Sequence, residues 1–135
     1  VNNNLTRHLK AKSGLNSLTL DDVLMNKKLA SLGDAFVNFV YSIALSDKLG
    51  EPVGAKVNSQ ILADALRKAG LRRRLPSRTD RHTQGDAAEA LIVYAWLQGI
   101  LTLSEAIQVI EEKAEEPVEA FTTLLTQIEK RLAAA

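Results

Sequence analysis

The 135-residue chain contains no cysteine. That excludes a disulfide scaffold, a thiolate metal site and a cysteine nucleophile. Aromatic residues are only 4% of the chain and do not interleave with its basic residues, so stacking of single-stranded bases is not suggested. Alternating β-branched runs and Asn-Gly or Asp-Gly hairpin signals are missing, which argues against a sheet. No uninterrupted apolar run reaches the ~18 residues that would span a bilayer. The first residues, Val1-Asn2-Asn3-Asn4, carry neither an apolar signal core nor a cleavage site. The expectation is a soluble, cytoplasmic chain without a membrane partner.

An excess of charge of either sign is also missing. Lys and Arg total 17, Asp and Glu 16, and the net charge is +1. That sum describes no part of the molecule. Residues 67–81 hold Arg67, Lys68, Arg72, Arg73, Arg74, Arg78 and Arg81 against Asp80, for a net of +6. Residues 82–104 carry only Asp86 and Glu89, and residues 105–135 have a net of −4. Such asymmetry is what a polyanion partner would select.

Apolar residues at 46% and charged residues at 24% belong to a globular domain, and the length suits one domain over residues 1–135. The pattern is all-α. Leu5–Lys12 reads as a short helix closed by Gly14. Thr19 reads as an N-cap with Asp21 and Asp22 in the first turn. From Asn26 to Lys48 apolar residues recur every three or four positions, predicting a long helix ended by Gly50 and Pro52. Ser59 is expected to cap a helix that ends before Gly70. Residues 71–82 read as an arginine-rich loop, and 85–98 as a strongly apolar helix. Ser104 opens another helix, and Pro117 starts a last one over 117–135.

Two places put carboxylates into apolar helices. Asp34 follows Gly33, between Leu32 and Phe36, while Asp86 and Glu89 are three apart and so share a helix face. A carboxylate on a core-facing stripe is costly unless it is paired or binds a metal. If the two helices pack together, three carboxylates can converge. A hard divalent ion could use them to activate water at a phosphodiester. Spacing alone leaves plainer roles open, Asp34 capping a turn and Asp86 acting as an acidic first-turn residue. Arg72, Arg73, Arg74, Arg78 and Arg81 form a phosphate-suited arginine group, and the adjacent His82 could also touch phosphate. A duplex RNA, read by shape and phosphates, fits arginines without aromatics. Charge alone equally allows a solvated loop paired with the acidic residues Glu111–Glu119.

These residues resemble the ribonuclease III catalytic domain in its compact form, which lacks a separate duplex-RNA-binding domain. The family signature has the form Asn-Glu-x-Leu-Glu-Phe-Leu-Gly-Asp-Ala, and Asn26-Lys27-Lys28-Leu29-Ala30-Ser31-Leu32-Gly33-Asp34-Ala35 keeps that frame. A second motif, Asp-x-x-Glu-Ala-Leu-Ile, matches Asp86-Ala87-Ala88-Glu89-Ala90-Leu91-Ile92. Arg81-His82-Thr83 is similar to an arginine-histidine-serine run of the compact branch. The resemblance covers residues 18–112. It implies a helical bundle, a homodimer paired through the signature helix, and structured or double-stranded RNA as partner. It also implies Mg²⁺- or Mn²⁺-dependent endoribonuclease activity, with Asp34, Asp86 and Glu89 as catalytic metal ligands. Two signature glutamates are replaced, by Lys27 and by Ala30. Ala30 removes one expected ligand and should weaken the metal, unless a water, or Asn38 at i+4 from Asp34, supplies an oxygen. The alternatives are a catalytically impaired RNA-binding member of the same fold and, in another class, a helical protein–protein adaptor using the acidic last helices.

Overall fold

The computed structural model describes residues 5–134. The signal-peptide reading of Val1–Asn4 therefore lies outside the described residues, as does Ala135. Among the described residues seven α-helices follow one another: α1 (Arg7–Ser13), α2 (Leu20–Leu24), α3 (Lys27–Leu49), α4 (Ser59–Lys68), α5 (Arg81–Leu97), α6 (Leu103–Glu112) and α7 (Pro117–Ala134). Short 3₁₀ turns lie at Leu15–Ser17 and Arg72–Arg74, and no strand occurs among the described residues.

Helix ends follow local chemistry. Thr19 and Asp22 form a reciprocal capping box, each side chain accepting the other's N–H at 3.1 Å. Asn26 caps α3 by accepting from Leu29 N–H at 2.9 Å, and Gly50 ends it in the left-handed region at φ 76°. Three boundaries depart from expectation. Asn58, not Ser59, caps α4, its amide oxygen accepting from Ile61 N–H. Thr102, not Ser104, caps α6 in a second capping box with Glu105. Helix α5 starts at Arg81 rather than at 85, because the Asp80 carboxylate accepts from Thr83 N–H at 2.8 Å. Arg81 and His82 are therefore first-turn helical residues, held in place, and not loop.

Helix α5 is the axis of the bundle. Its run from Ala87 to Val93 is buried without a break, so the helix has little amphipathic character and must be surrounded. Helix α3 lies along it, α4 and α7 cover further sides, and α6 packs against α3 and α7. By length and mean hydropathy α3 could cross a membrane, a property that uninterrupted apolar runs did not reveal. Here one face of it instead joins the protein core through Leu29, Val37, Val40 and Ala44.

The α3–α5 crossing is close because Gly33 has no side chain. A Cβ built there would overlap the carbonyl of Glu89 and lie 3.0 Å from the Glu89 Cβ. Gly85 plays a lesser part of the same kind, where a Cβ would lie 3.2 Å from that of Ser59. At the far end of the bundle, Arg131 of α7 forks onto Glu105 at 3.0 and 2.9 Å and donates to the Ile100 carbonyl at 2.9 Å. The guanidinium and the Thr102 N–H hold the Glu105 carboxyl down to about 2.

Gly33→Ala is expected to destabilise the fold by about 1–3 kcal/mol despite alanine's better helix propensity. Chemical denaturation that showed no loss would contradict the close crossing. Glu105 has a depressed folded pKa, so its ion pair stabilises above the ordinary carboxylate range and fades as pH falls toward about 2. Glu105→Gln keeps the cap geometry and should cost about 0.5–1 kcal/mol at pH 7, modest because solvent screens the pair. Melting curves should show that gap closing between pH 5 and pH 2; a gap independent of pH would assign it to packing.

Candidate active site

A cleft of about 390 Å³ opens where α3, α4 and α5 meet. Its walls include Lys27, Ser31 and Asp34 from α3, Ser59 from α4, and His82, Asp86 and Glu89 from α5. The close approach at Gly33 explains the arrangement. Bringing the α3 backbone onto that of Glu89 sets the next residue, Asp34, beside the Glu89 side chain. All three expected carboxylates thus line one cleft, although their segments lie more than fifty residues apart in the chain.

They are not equivalent. Asp34 is exposed, Asp86 is half-buried, and Glu89 is 7% exposed, the one buried charged residue among those described. Burial pushes the Glu89 carboxyl up to about 8, helped by the Asp34 carboxylate within hydrogen-bond reach and by Asp86 nearby. Asp86 is turned to a different partner. Lys27 Nζ lies 3.2 Å from its Oδ2, so the lysine that replaces a signature glutamate now neutralises a signature aspartate. Among the described residues no three His, Asp or Glu side chains are gathered closely enough to hold a metal between them. The expected convergence of three carboxylates is a close pair, Asp34 with Glu89, and a neighbour held by lysine.

The pair still suits a cation. Glu89 is buried beside an exposed carboxylate, and a positive charge placed there would offset both its burial and the repulsion between the two. Hard divalent ions are commonly bound through one or two carboxylates, with water completing the shell. Ala30 lines the same cleft and offers no oxygen. Asn38 does not fill the gap. Its Oδ1 accepts from Val57 N–H at 2.8 Å, and its Nδ2 donates to Asp34 Oδ1 at 3.2 Å. The oxygen that a metal would need is committed to the backbone, and a nitrogen that cannot ligate faces Asp34.

The arginines divide into two groups. Arg72 donates to the carbonyls of Pro76 and Ser77 at 3.1 and 2.9 Å, which folds the turn after the 3₁₀ segment. Arg73 donates to the Gly70 carbonyl. Arg74 reaches Asp21 of α2 at 3.2 Å. These three are engaged inside the chain, contrary to a purely ligand-facing block, and their ion-pair partner is not the acidic Glu111–Glu119 stretch. Arg78 is exposed in the turn before α5. Arg81 donates to Gln60 at 3.3 Å, and His82 lines the cleft. Sequence reasoning missed Lys27, Ser31 and Ser59 as cleft residues. Lys27 was legible as a charge reversal within the signature. Ser59 was not, because only the packing of α4 against Gly85 brings it there.

With this geometry in view, comparison with known proteins gives one result. A model of the family described as ribonuclease III matches residues 27–135, from the start of α3 through the whole of α7. A search of curated proteins finds no match. The chain belongs to the ribonuclease III family, a family of RNA-processing ribonucleases.

Proposed function

We propose that this chain is a compact endoribonuclease acting on structured or double-stranded RNA, working with Mg²⁺ or Mn²⁺ held between Asp34 and Glu89. The observation that carries this reading is that Asp34, Asp86 and Glu89 line one cleft open to solvent. A bound divalent cation would neutralise phosphodiester charge and make attack by water easier. The chain's own residues supply the rest. Glu89 is buried, has its backbone against Gly33, and lines the cleft. Lys27 offsets the charge of Asp86, which lowers the repulsion an incoming phosphate would meet. His82 lines the cleft, and Arg78 and Arg81, next to it in the chain, would supply guanidinium groups suited to phosphate oxygens.

A second reading is RNA binding without cleavage. It is favoured by Ala30, which leaves one ligand fewer, and by Lys27, whose ammonium occupies Asp86. The two readings separate on a long RNA duplex incubated with Mg²⁺ or Mn²⁺. Slow cleavage is expected, reduced by Glu89→Gln more than about 100-fold, since loss of a ligand should exceed the effect of losing an outer-shell partner. The double substitution Lys27→Glu with Ala30→Glu should raise the rate. An uncut duplex retained in a salt-dependent way would establish the binding reading. Replacing Arg78 and Arg81 by alanine should flatten that salt dependence by about one unit of slope for each phosphate no longer neutralised. A duplex neither cut nor bound would leave the adaptor.

The outer face of α3 supports a homodimer. Leu32, Phe39 and Ile43 are 40%, 51% and 36% exposed, and their spacing of seven and four residues lines them up along one side. A second copy of the chain can cover this stripe with the same stripe, because a two-fold interface is self-complementary. Sedimentation at micromolar concentration should give a dimer, and Phe39→Glu should give a folded monomer. A monomeric wild type would overturn the pairing.

A further inference from the structure

Helix α3 carries a polar stripe on an otherwise apolar helix, formed by Asn38, Ser42 and Ser46. Each residue pairs with the extended segment 52–58 that runs back along the helix. The Ser46 hydroxyl accepts from Val53 N–H at 2.8 Å and donates to Val53 O at 3.1 Å. The Ser42 hydroxyl does the same with Ala55, at 2.8 and 3.0 Å. Asn38 accepts from Val57 N–H at 2.8 Å. Four helical residues rise about 6 Å, and two extended residues span about 6.6 Å, so the rungs stay in register. The serine rungs close on the segment. The asparagine rung does not, because its remaining N–H goes to Asp34 Oδ1 at 3.2 Å.

We propose that Asn38 is a positioning residue for the cleft: its amide holds Asp34 Oδ1 and so fixes the orientation of the Asp34 carboxylate, while its oxygen anchors the segment that delivers Ser59 to the cleft wall. This rests on the divalent-cation reading above. Asn38 couples two things that a metal ligand requires, a fixed carboxylate rotamer and a fixed wall. An Asp34 free of this bond would lose orientation on an exposed stretch of helix. Ser42 and Ser46 hold the segment without touching a carboxylate, so they act on stability alone.

Titration of the full chain with Mn²⁺, followed by calorimetry or electron paramagnetic resonance, tests this. Asn38→Ala should weaken Mn²⁺ binding about tenfold, the effect typical of losing an outer-shell partner. Ser42→Ala removes two hydrogen bonds to the same segment and should change Mn²⁺ affinity less than twofold while lowering the melting temperature. Excess Mn²⁺ should restore RNA cleavage to Asn38→Ala. Equal Mn²⁺ affinity in the two folded variants would reduce Asn38 to one more rung and overturn the assignment, leaving the cation reading intact. A wild type that binds no Mn²⁺ would overturn both.

Discussion

The close approach of Gly33 to the backbone of Glu89 is the constraint on which the site depends. Two helices can come this near only where one of them has no Cβ. Once they do, Asp34 and Glu89 come to line the same cleft, because each sits on a helix within one residue of the crossing. The carboxyl pair is thus a consequence of backbone geometry. The burial of Glu89 and its raised pKa follow from the same crossing, which excludes water from that side chain as it brings the second carboxylate near.

Charge in the cleft is balanced in two ways that differ in reversibility. At Asp86 the balance is built in, through Lys27 at 3.2 Å. Both side chains are substantially exposed, so this pair is screened and weak, and an ionic ligand can compete with it. At Glu89 burial and the neighbouring carboxylates instead push the carboxyl up, which favours its neutral form. The cleft therefore combines a carboxylate paired with a lysine, one that accepts from the Asn38 amide and one that is buried, and the replacement of a signature glutamate by Lys27 contributes to this asymmetry.

The arginine block shows why local charge density is an incomplete guide. Arg72 and Arg73 donate to carbonyls of their own turn, and Arg74 ties that turn to α2. A tight turn with few backbone hydrogen bonds leaves carbonyls in need of donors, and a guanidinium supplies several in a fixed plane. Part of the +6 block thus folds the chain, while Arg78 stays exposed in the turn before α5 and Arg81 donates to Gln60.

Much was legible in the linear chain. The period of α3, Thr19 as an N-cap, Gly50 as a stop and Pro117 as a start are local effects, set by neighbours within a turn, so the sequence alone determined them. The spacing of Asp86 and Glu89 and the Gly33-Asp34 pair likewise marked the cleft. Boundaries at Asn58, Asp80 and Thr102 were misplaced because adjacent polar residues could each serve as cap, and only the folded backbone shows which one does. The partner of Asp86, the turning of the Asn38 oxygen toward Val57 and the arrival of Ser59 were decided by tertiary structure. Each depends on an approach between segments far apart in the chain, and hydrogen-bond geometry at such an approach has no periodic signature to read in advance.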